Sequence, residues 1–121
     1  MTQPAIALTE VTGPAGAPLV VLGPSLGTST ILWEDVVPLL ADDYRVVSWD
    51  LPGHGAAPAP TAPFSVGEIA DAVADAVRSL GGERVLYGGV SLGGATGLEL
   101  LLRHAGLVRG AAIMARSSSS P

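Results

Sequence analysis

The sequence feature that most constrains the fold is the pentapeptide Gly89-Val90-Ser91-Leu92-Gly93, which sets a serine between two glycines. An apolar run of strand length at 84–90 precedes the serine, and a stretch with helical periodicity at about 92–104 follows it. A serine at such a junction sits on a sharp turn, where side chains two positions to either side would collide, and glycine at 89 and 93 removes that collision. The pattern predicts a strand, a tight turn that exposes the Ser91 hydroxyl, and a helix.

Apolar runs of strand length alternate with helical patterns along the rest of the chain. The middle helix has the clearest boundaries, since Ser65 and Glu68 form a capping box at its start and Gly81-Gly82 ends it. This alternation predicts an α/β fold with a mostly parallel sheet, right-handed crossovers and helices on both faces, in one domain over residues 1–121. The other predicted elements are strands at 5–11, 18–22, 44–49 and 107–114 and a helix at 30–40.

Composition and charge narrow the classes of function. With 48% hydrophobic and 14% charged residues, the chain can bury a core. The net charge is −5 and the six basic residues are scattered arginines, so nucleic acid and anionic membranes are not expected partners. The absence of cysteine excludes a disulfide scaffold and a cysteine nucleophile, and two histidines disfavour a metal site. Because neither a leader-like N-terminus nor a run long enough to span a bilayer is present, we expect a cytoplasmic protein. No metal or organic cofactor is implied by the sequence.

Two stretches of sequence are candidates for stabilising a negative charge near Ser91. The helix after Ser91 has unpaired N–H groups and the positive end of its dipole in its first turn, so the Leu92 N–H is the first candidate donor. The loop that follows the strand at 18–22 supplies Leu26 as the candidate for a second donor. These positions predict a serine nucleophile with an oxyanion hole. The structural alternatives are a glycine-rich turn with an idle serine and an ordinary connecting loop.

A second turn, Asp50-Leu51-Pro52-Gly53-His54-Gly55, follows the strand at 44–49. In a structural interpretation, Asp50 and His54 hydrogen-bond backbone groups of a turn shaped by Gly53 and Gly55. In the chemical alternative, the two side chains are the acid and base that activate a nucleophile. His104, near the end of a helix, is expected to be structural. Three acidic residues on a helix face are expected to be solvated charges, namely Glu68, Asp71 and Asp75.

Together, the Ser91 turn, the turn at 50–55 and Trp33 resemble the α/β-hydrolase superfamily over about residues 18–114. The resemblance implies the first six strands of that fold, with residues 5 onward as the opening pair. It also implies the chain order nucleophile, acid, histidine, which favours the structural interpretation of Asp50 and His54. A serine at position 91 argues against the haloalkane dehalogenases and epoxide hydrolases, which are similar over this half but have aspartate there.

The run Ser25-Leu26-Gly27-Thr28, then Trp33, and the run at 89–95 are similar to the 3-oxoadipate enol-lactonases of the β-ketoadipate pathway. This similarity implies a serine hydrolase of esters or enol-lactones, in which Ser91 attacks the carbonyl of a small-molecule substrate. Esterases, C–C bond hydrolases and cofactor-free haloperoxidases are the alternatives within the superfamily.

Members of the superfamily continue with a cap, two further strands, an acid and a catalytic histidine, whereas no histidine follows His104 in this sequence. Without a base Ser91 is a weak nucleophile, and the last strand leaves an open sheet edge. We therefore expect a partial fold that carries the nucleophile and oxyanion hole but lacks the cap and the last strands. Three interpretations are left open: a truncated fragment, half of an enzyme completed by a partner chain, and an inactive remnant or interaction module.

Overall fold

Five β-strands and three α-helices make up the described part of this computed structural model, which comprises residues 4–25, 29–81 and 84–114. The strands are β1 (Ala7–Leu8), β2 (Leu19–Gly23), β3 (Arg45–Asp50), β4 (Val85–Val90) and β5 (Val108–Met114). The α-helices are α1 (Val37–Leu40), α2 (Val66–Ser79) and α3 (Leu92–Arg103), and two short 3₁₀ turns cover Thr30–Trp33 and Ala105–Leu107. None of the helices in these ranges has the length and apolar content that a membrane span requires.

The strands form one sheet in the order β1-β3-β2-β4-β5, which confirms the predicted mostly parallel arrangement. β2 pairs in parallel with both β3 and β4, and β4 pairs in parallel with β5, whereas β1 runs antiparallel to β3. Parallel neighbours cannot be joined by a tight turn, so the connecting segments cross over the faces of the sheet. The carboxyl ends of the parallel strands therefore meet at one edge, where Gly23 pairs with Gly89.

The two faces of the sheet bury different helices, and the alternation of side chains along β2 shows how. Leu19 and Val21 belong to the core that includes α2 and α3, while Val20 and Leu22 pack with Trp33 and residues of α1. The prediction of helices on both faces is thus confirmed. The side covered by α2 and α3 holds the larger part of the buried core.

Helix α2 begins as the capping box predicts. The Glu68 N–H donates to the Ser65 hydroxyl at 3.1 Å, and the Ser65 N–H donates to the Glu68 carboxylate at 2.8 Å. These two bonds satisfy donors that a helix N-terminus would otherwise leave unpaired. At the other end Gly81 has φ +79°, a left-handed conformation that glycine adopts without strain, and Gly82 lies outside the described residues.

The prediction of one continuous helix at 30–40 is wrong. The chain forms a 3₁₀ turn at Thr30–Trp33 and then a separate α1 at Val37–Leu40. Pro38 explains the break, because it has no N–H to donate and its ring clashes with the carbonyl four residues earlier. A proline is tolerated only in the first turn of a helix, so α1 begins one residue before it.

The opening strand pair predicted from residue 5 onward is also reduced. β1 is only Ala7–Leu8, and beyond it a single bridge joins Thr12 to Val46. Between them the Thr9 hydroxyl accepts the Ser48 N–H at 3.0 Å, so a side chain replaces the next carbonyl of the ladder. The strands in the described ranges therefore number five, where the resemblance implies six.

Asp71 links α2 to the end of α3, and the prediction that its carboxylate is simply solvated is wrong. Its two oxygens lie 2.7 Å from the Arg103 guanidinium and 2.7 Å from His104 Nε2. His104 is the C-terminal capping residue of α3, and its Nδ1 lies 3.3 Å from the Arg78 guanidinium. The hydrogen bonds from Arg103 and His104 lower the pKa of Asp71 from its usual 3.8 to about 2.

Acid unfolding tests this link. Because the pKa of Asp71 is lower in the folded chain than in the unfolded chain, its carboxylate stabilises the fold above about pH 4, and that contribution is lost as the pH falls toward 2. Asp71→Asn is expected to flatten the fall in unfolding free energy between about pH 4 and pH 2. Urea unfolding at a series of pH values measures the slope, with the exposed Asp42→Asn as the matched control. Equal slopes in the wild type and Asp71→Asn would contradict the link.

Candidate active site

Ser91 directly follows β4 and caps the N-terminus of α3, in a backbone conformation that is rare for a residue with a side chain. Its φ is 55° and its ψ is −115°, and among the described residues other than glycine it alone has a positive φ. Such a conformation costs of order 1–3 kcal/mol, so the surrounding structure must hold it. The Ser91 N–H donates to the Met114 carbonyl at 2.8 Å, and the Ser91 carbonyl accepts the Ala95 N–H at 2.9 Å. The end of β5 and the first turn of α3 thus fix the turn from both sides.

The two glycines of the pentapeptide make room for different neighbours. A methyl group on Gly89 would overlap the Gly93 carbonyl, so the collision expected across the turn is real at that position. A methyl group on Gly93 would instead overlap the backbone of Gly23 and Pro24, which begin the loop after β2. From the sequence pattern alone, both glycines are expected to relieve crowding within the turn itself. In the structure Gly93 brings α3 into backbone contact with the loop after β2.

This contact places the first turn of α3 beside the start of the loop after β2. Leu92 is the first residue of α3, and the geometry of an α-helix leaves the N–H groups of its first turn without acceptors inside the helix. The residue after Leu92 in this turn is Gly93, and the backbone of Gly23 and Pro24 lies against it. Leu26, the candidate for the second donor, lies outside the described residues. The start of its loop is held by the buried indole of Trp33, whose Nε1 donates to the Gly23 carbonyl at 3.1 Å.

The turn at 50–55 uses the Asp50 carboxylate to organise backbone. Asp50 is buried, and its two oxygens accept the Thr30 N–H at 2.7 Å and the Ala56 N–H at 3.0 Å. His54 Nδ1 lies 3.0 Å from the Pro52 carbonyl. β2 separates β3 from β4, so the carboxyl ends of these two strands are about 10 Å apart. The structure therefore gives Asp50 and His54 backbone partners within and beside their own turn.

Glycine is required twice in this turn. Gly53 and Gly55 have φ values of +75° and +51°, which side-chain-bearing residues rarely adopt. A methyl group on Gly55 would also overlap the Asp50 carboxylate. The bare glycine lets the chain wrap closely around the buried charge, which holds the loop after β3 and the 3₁₀ turn at Thr30–Trp33 together.

Removing this carboxylate is expected to be costly. Asp50→Ala leaves two backbone N–H groups without their acceptor, and we expect it to lower the unfolding free energy by about 2–5 kcal/mol. Asp50→Asn keeps one acceptor oxygen and should lose less. Urea unfolding measures both, with Asp42→Ala as a control at an exposed position. A change of less than about 0.5 kcal/mol in Asp50→Ala, as is usual for surface substitutions, would show that the turn does not depend on the charge.

Tyr87 lies on β4 beneath the candidate site, and the sequence patterns do not single it out. Its hydroxyl donates to the Gly93 carbonyl at 2.7 Å, and the side chain is 2% exposed. The sequence did carry an indication, because a tyrosine within a buried strand needs a partner for its hydroxyl. The partner itself could not be predicted, since it depends on how closely α3 packs on the sheet.

Comparison with known proteins places these features in a family. The sequence model of the alpha/beta hydrolase fold matches residues 18–121. The 3-oxoadipate enol-lactonase 2 of Acinetobacter baylyi is 31% identical over 103 residues, which is 84% of this chain and 39% of that protein. A Pseudomonas savastanoi pv. phaseolicola protein named as a proposed carbamate hydrolase, RutD, is 36% identical over 108 residues, covering 88% of this chain and 41% of its own length.

Solved structures show the same likeness. The crystal structure of the enol-lactonase from Burkholderia xenovorans has a TM-score of 0.83 and 32% identity to this chain, covering 89% of this chain and 42% of that one. The chain thus spans about two fifths of the length of the relatives it matches.

Proposed function

Since the chain belongs to the alpha/beta hydrolase fold family, we propose that it is the nucleophile-bearing part of a serine hydrolase that acts on esters or enol-lactones. The observation that carries the proposal is the backbone of Ser91, which is held at φ 55° between β4 and α3. Strain of this kind persists where the position of a side chain matters, and here it lifts a hydroxyl to the edge where the parallel strands end. The substrate class is supported by the enol-lactonase relatives at 31% and 32% identity.

In the proposed reaction a general base takes the proton of the Ser91 hydroxyl as its Oγ attacks the substrate carbonyl carbon, and the carbonyl oxygen becomes an oxyanion. The Leu92 N–H and the Leu26 N–H are the proposed donors to that oxygen. As the tetrahedral intermediate collapses, the protonated base gives its proton to the departing alcohol or enol oxygen, and an ester is left on Ser91. Water then attacks this acyl-enzyme, releases the acid and restores the hydroxyl.

We propose that the general base and its acid partner come from outside this chain, from a C-terminal portion or a second chain. His104 follows the 12-residue helix α3, which places it about 18 Å from Ser91, and it contacts Asp71. His54 Nδ1 is engaged by the carbonyl of Pro52. The share of the relatives' length that the chain spans, about two fifths, leaves ample sequence for both missing groups.

A carbamate is the second candidate substrate, because the relative named as a proposed carbamate hydrolase is 36% identical over 88% of this chain. Carbamates and esters present the same electrophile, a carbonyl carbon bonded to a leaving heteroatom. The nucleophile and oxyanion donors would therefore act alike on both, and residues outside this chain would set the choice of substrate.

A chimera tests the proposal. In this chimera, residues 1–114 of the chain are fused to the corresponding C-terminal part of the Acinetobacter baylyi enol-lactonase. The chimera is called the completed enzyme below. We expect the 121-residue chain alone to hydrolyse an activated ester no faster than buffer, because it supplies no base to Ser91. The completed enzyme should turn it over. A panel of an enol-lactone, a simple ester and a carbamate tests whether the Ser91 site acts on any of these carbonyls, while the preference among them follows the C-terminal part of the chimera.

Two results would count against the proposal. One is a folded completed enzyme that is inactive on all three substrate classes. The other is substantial turnover by the 121-residue chain that is lost in Ser91→Ala, since it would make His54 the base within this chain.

A further inference from the structure

Tyr87 lies four residues before Ser91 on β4, and the proposed reaction does not use it. Its hydroxyl is buried and donates to the Gly93 carbonyl at 2.7 Å. Burial raises the pKa of Tyr87 far above its usual value, so the hydroxyl keeps its proton at any working pH. A permanently protonated donor bonded to a backbone carbonyl is suited to holding structure in place rather than to moving protons.

Three glycines on two elements converge on this tyrosine. A methyl group on Gly23, at the end of β2, would overlap the Tyr87 hydroxyl. A methyl group on Gly97, in the second turn of α3, would come within 2.8 Å of the ring. Gly93, in the first turn, supplies the carbonyl that accepts the hydrogen bond. The ring therefore fills the space between the end of β2 and α3, with no room for a side chain on either.

These contacts join the two halves of the proposed oxyanion hole. Gly93 follows Leu92, the proposed first donor, and Gly23 starts the loop that leads to Leu26, the proposed second donor. On the other face of the sheet, Trp33 holds the Gly23 carbonyl at 3.1 Å. Gly93 contacts the backbone of Gly23 and Pro24 directly, and Tyr87 flanks this contact, so the approach of the first turn of α3 to the start of that loop depends on the tyrosine.

We propose that Tyr87 is a positioning residue, whose hydroxyl holds the first turn of α3, and with it the Leu92 N–H, against the start of the loop after β2. Its importance for catalysis rests on the proposed function, whereas its effect on local geometry does not. A residue that only fills the core would, when altered, lower stability throughout the fold. A positioning residue changes the Ser91 turn first.

The experiment uses the isotopically labelled 121-residue chain, with Tyr87→Phe compared against Tyr44→Phe. Tyr44 is a half-buried tyrosine that packs on the other face of the sheet, so the control removes the same atom elsewhere. We expect Tyr87→Phe to shift the Gly93 carbonyl ¹³C resonance and to speed hydrogen exchange at the Ser91 and Ala95 amides by about tenfold relative to the amides of α2. Tyr44→Phe should change neither.

Two outcomes of that comparison overturn the proposal. If exchange accelerates equally in the Ser91 turn and in α2, Tyr87 is a core residue only. If the Gly93 carbonyl resonance does not move, the hydroxyl does not hold it.

Gly23→Ala is the second variant, needed if Tyr87→Phe does not fold. Its methyl group overlaps the Tyr87 hydroxyl, so it should also shift the Gly93 carbonyl resonance while leaving the tyrosine in place. Where Tyr87→Phe does fold, the double variant Gly23→Ala/Tyr87→Phe lacks the hydroxyl, and the methyl group should lower the unfolding free energy less there than it does beside an intact Tyr87. If the methyl group lowers the unfolding free energy equally with and without the Tyr87 hydroxyl, the proposed contact is overturned.

The catalytic consequence is measured separately in the completed enzyme. Tyr87→Phe is expected to lower kcat between about 10-fold and 100-fold with KM unchanged, because the donors meet the oxyanion only in the transition state. An unchanged kcat would overturn the catalytic part of the inference. If the completed enzyme with Tyr87 intact shows no turnover, the proposed function fails, and the resonance and exchange measurements still decide whether Tyr87 positions the turn.

Discussion

Ester hydrolysis by the completed enzyme is expected to fall at least about 10³-fold in Ser91→Ala, with the protein still folded. Alanine removes the attacking oxygen and leaves the rest of the site in place. The residual rate would come from the oxyanion donors and from substrate binding, which can assist attack by water. Initial rates on an activated ester measure the loss, and mass spectrometry after treatment with a fluorophosphonate shows whether the reagent adds to the peptide that contains residue 91.

Ser79→Ala is the matched control, because Ser79 lies at the exposed end of α2, where its hydroxyl donates to the Asp75 carbonyl. It should leave the rate unchanged. Ser91→Gly separates chemistry from folding, since glycine adopts a φ of 55° without strain. We expect this variant to be as inactive as Ser91→Ala and more stable than the wild type by about 1 kcal/mol. Retention of more than a tenth of the wild-type rate in both variants would show that Ser91 is not the nucleophile.

Local sequence patterns predict most of the strands and helices that surround the site. The alternation of strand and helix patterns predicts the parallel sheet, and the Ser65 and Glu68 pair predicts the start of α2. Both depend on residues close in sequence, whose interactions differ little from one fold to another. The break at Pro38 is also a local effect of sequence. The prediction of a continuous helix is wrong because apolar periodicity extends across this position, whereas a proline cannot lie beyond the first turn of a helix.

Contacts between distant segments are what the sequence does not predict. Gly93 lies against Gly23 and Pro24, about 70 residues earlier, and a glycine pattern cannot identify the backbone that approaches it. The same limit applies to Asp71, whose partners Arg103 and His104 belong to another helix. The charge pattern of α2 shows a polar face, and only the packing of α3 turns one of its carboxylates into an ion pair.

Gly89→Ala is expected to lower the unfolding free energy by more than about 3 kcal/mol, or to prevent folding altogether. Its methyl group would overlap the Gly93 carbonyl, which is backbone of α3 and cannot move aside without displacing the helix. Because the helix carries Leu92 and is joined to β5 through the Ser91 N–H, its displacement would open the turn and the sheet edge together. Urea unfolding of the 121-residue chain gives the value.

Two neighbouring glycines supply controls that separate crowding from the general effect of a methyl group. A methyl on Gly88 would come 3.1 Å from the end of the flexible Leu22 side chain, so Gly88→Ala should cost less than about 1.5 kcal/mol. Gly106 has open space around it and lies outside the left-handed region, so Gly106→Ala should be neutral or stabilising by a few tenths of a kcal/mol. If all three substitutions cost the same, the close backbone approach at Gly89 is not what shapes the turn. A cost confined to Gly89→Ala would mean that the strained conformation of Ser91 is imposed by packing of α3 on β4, and so is built before any substrate arrives.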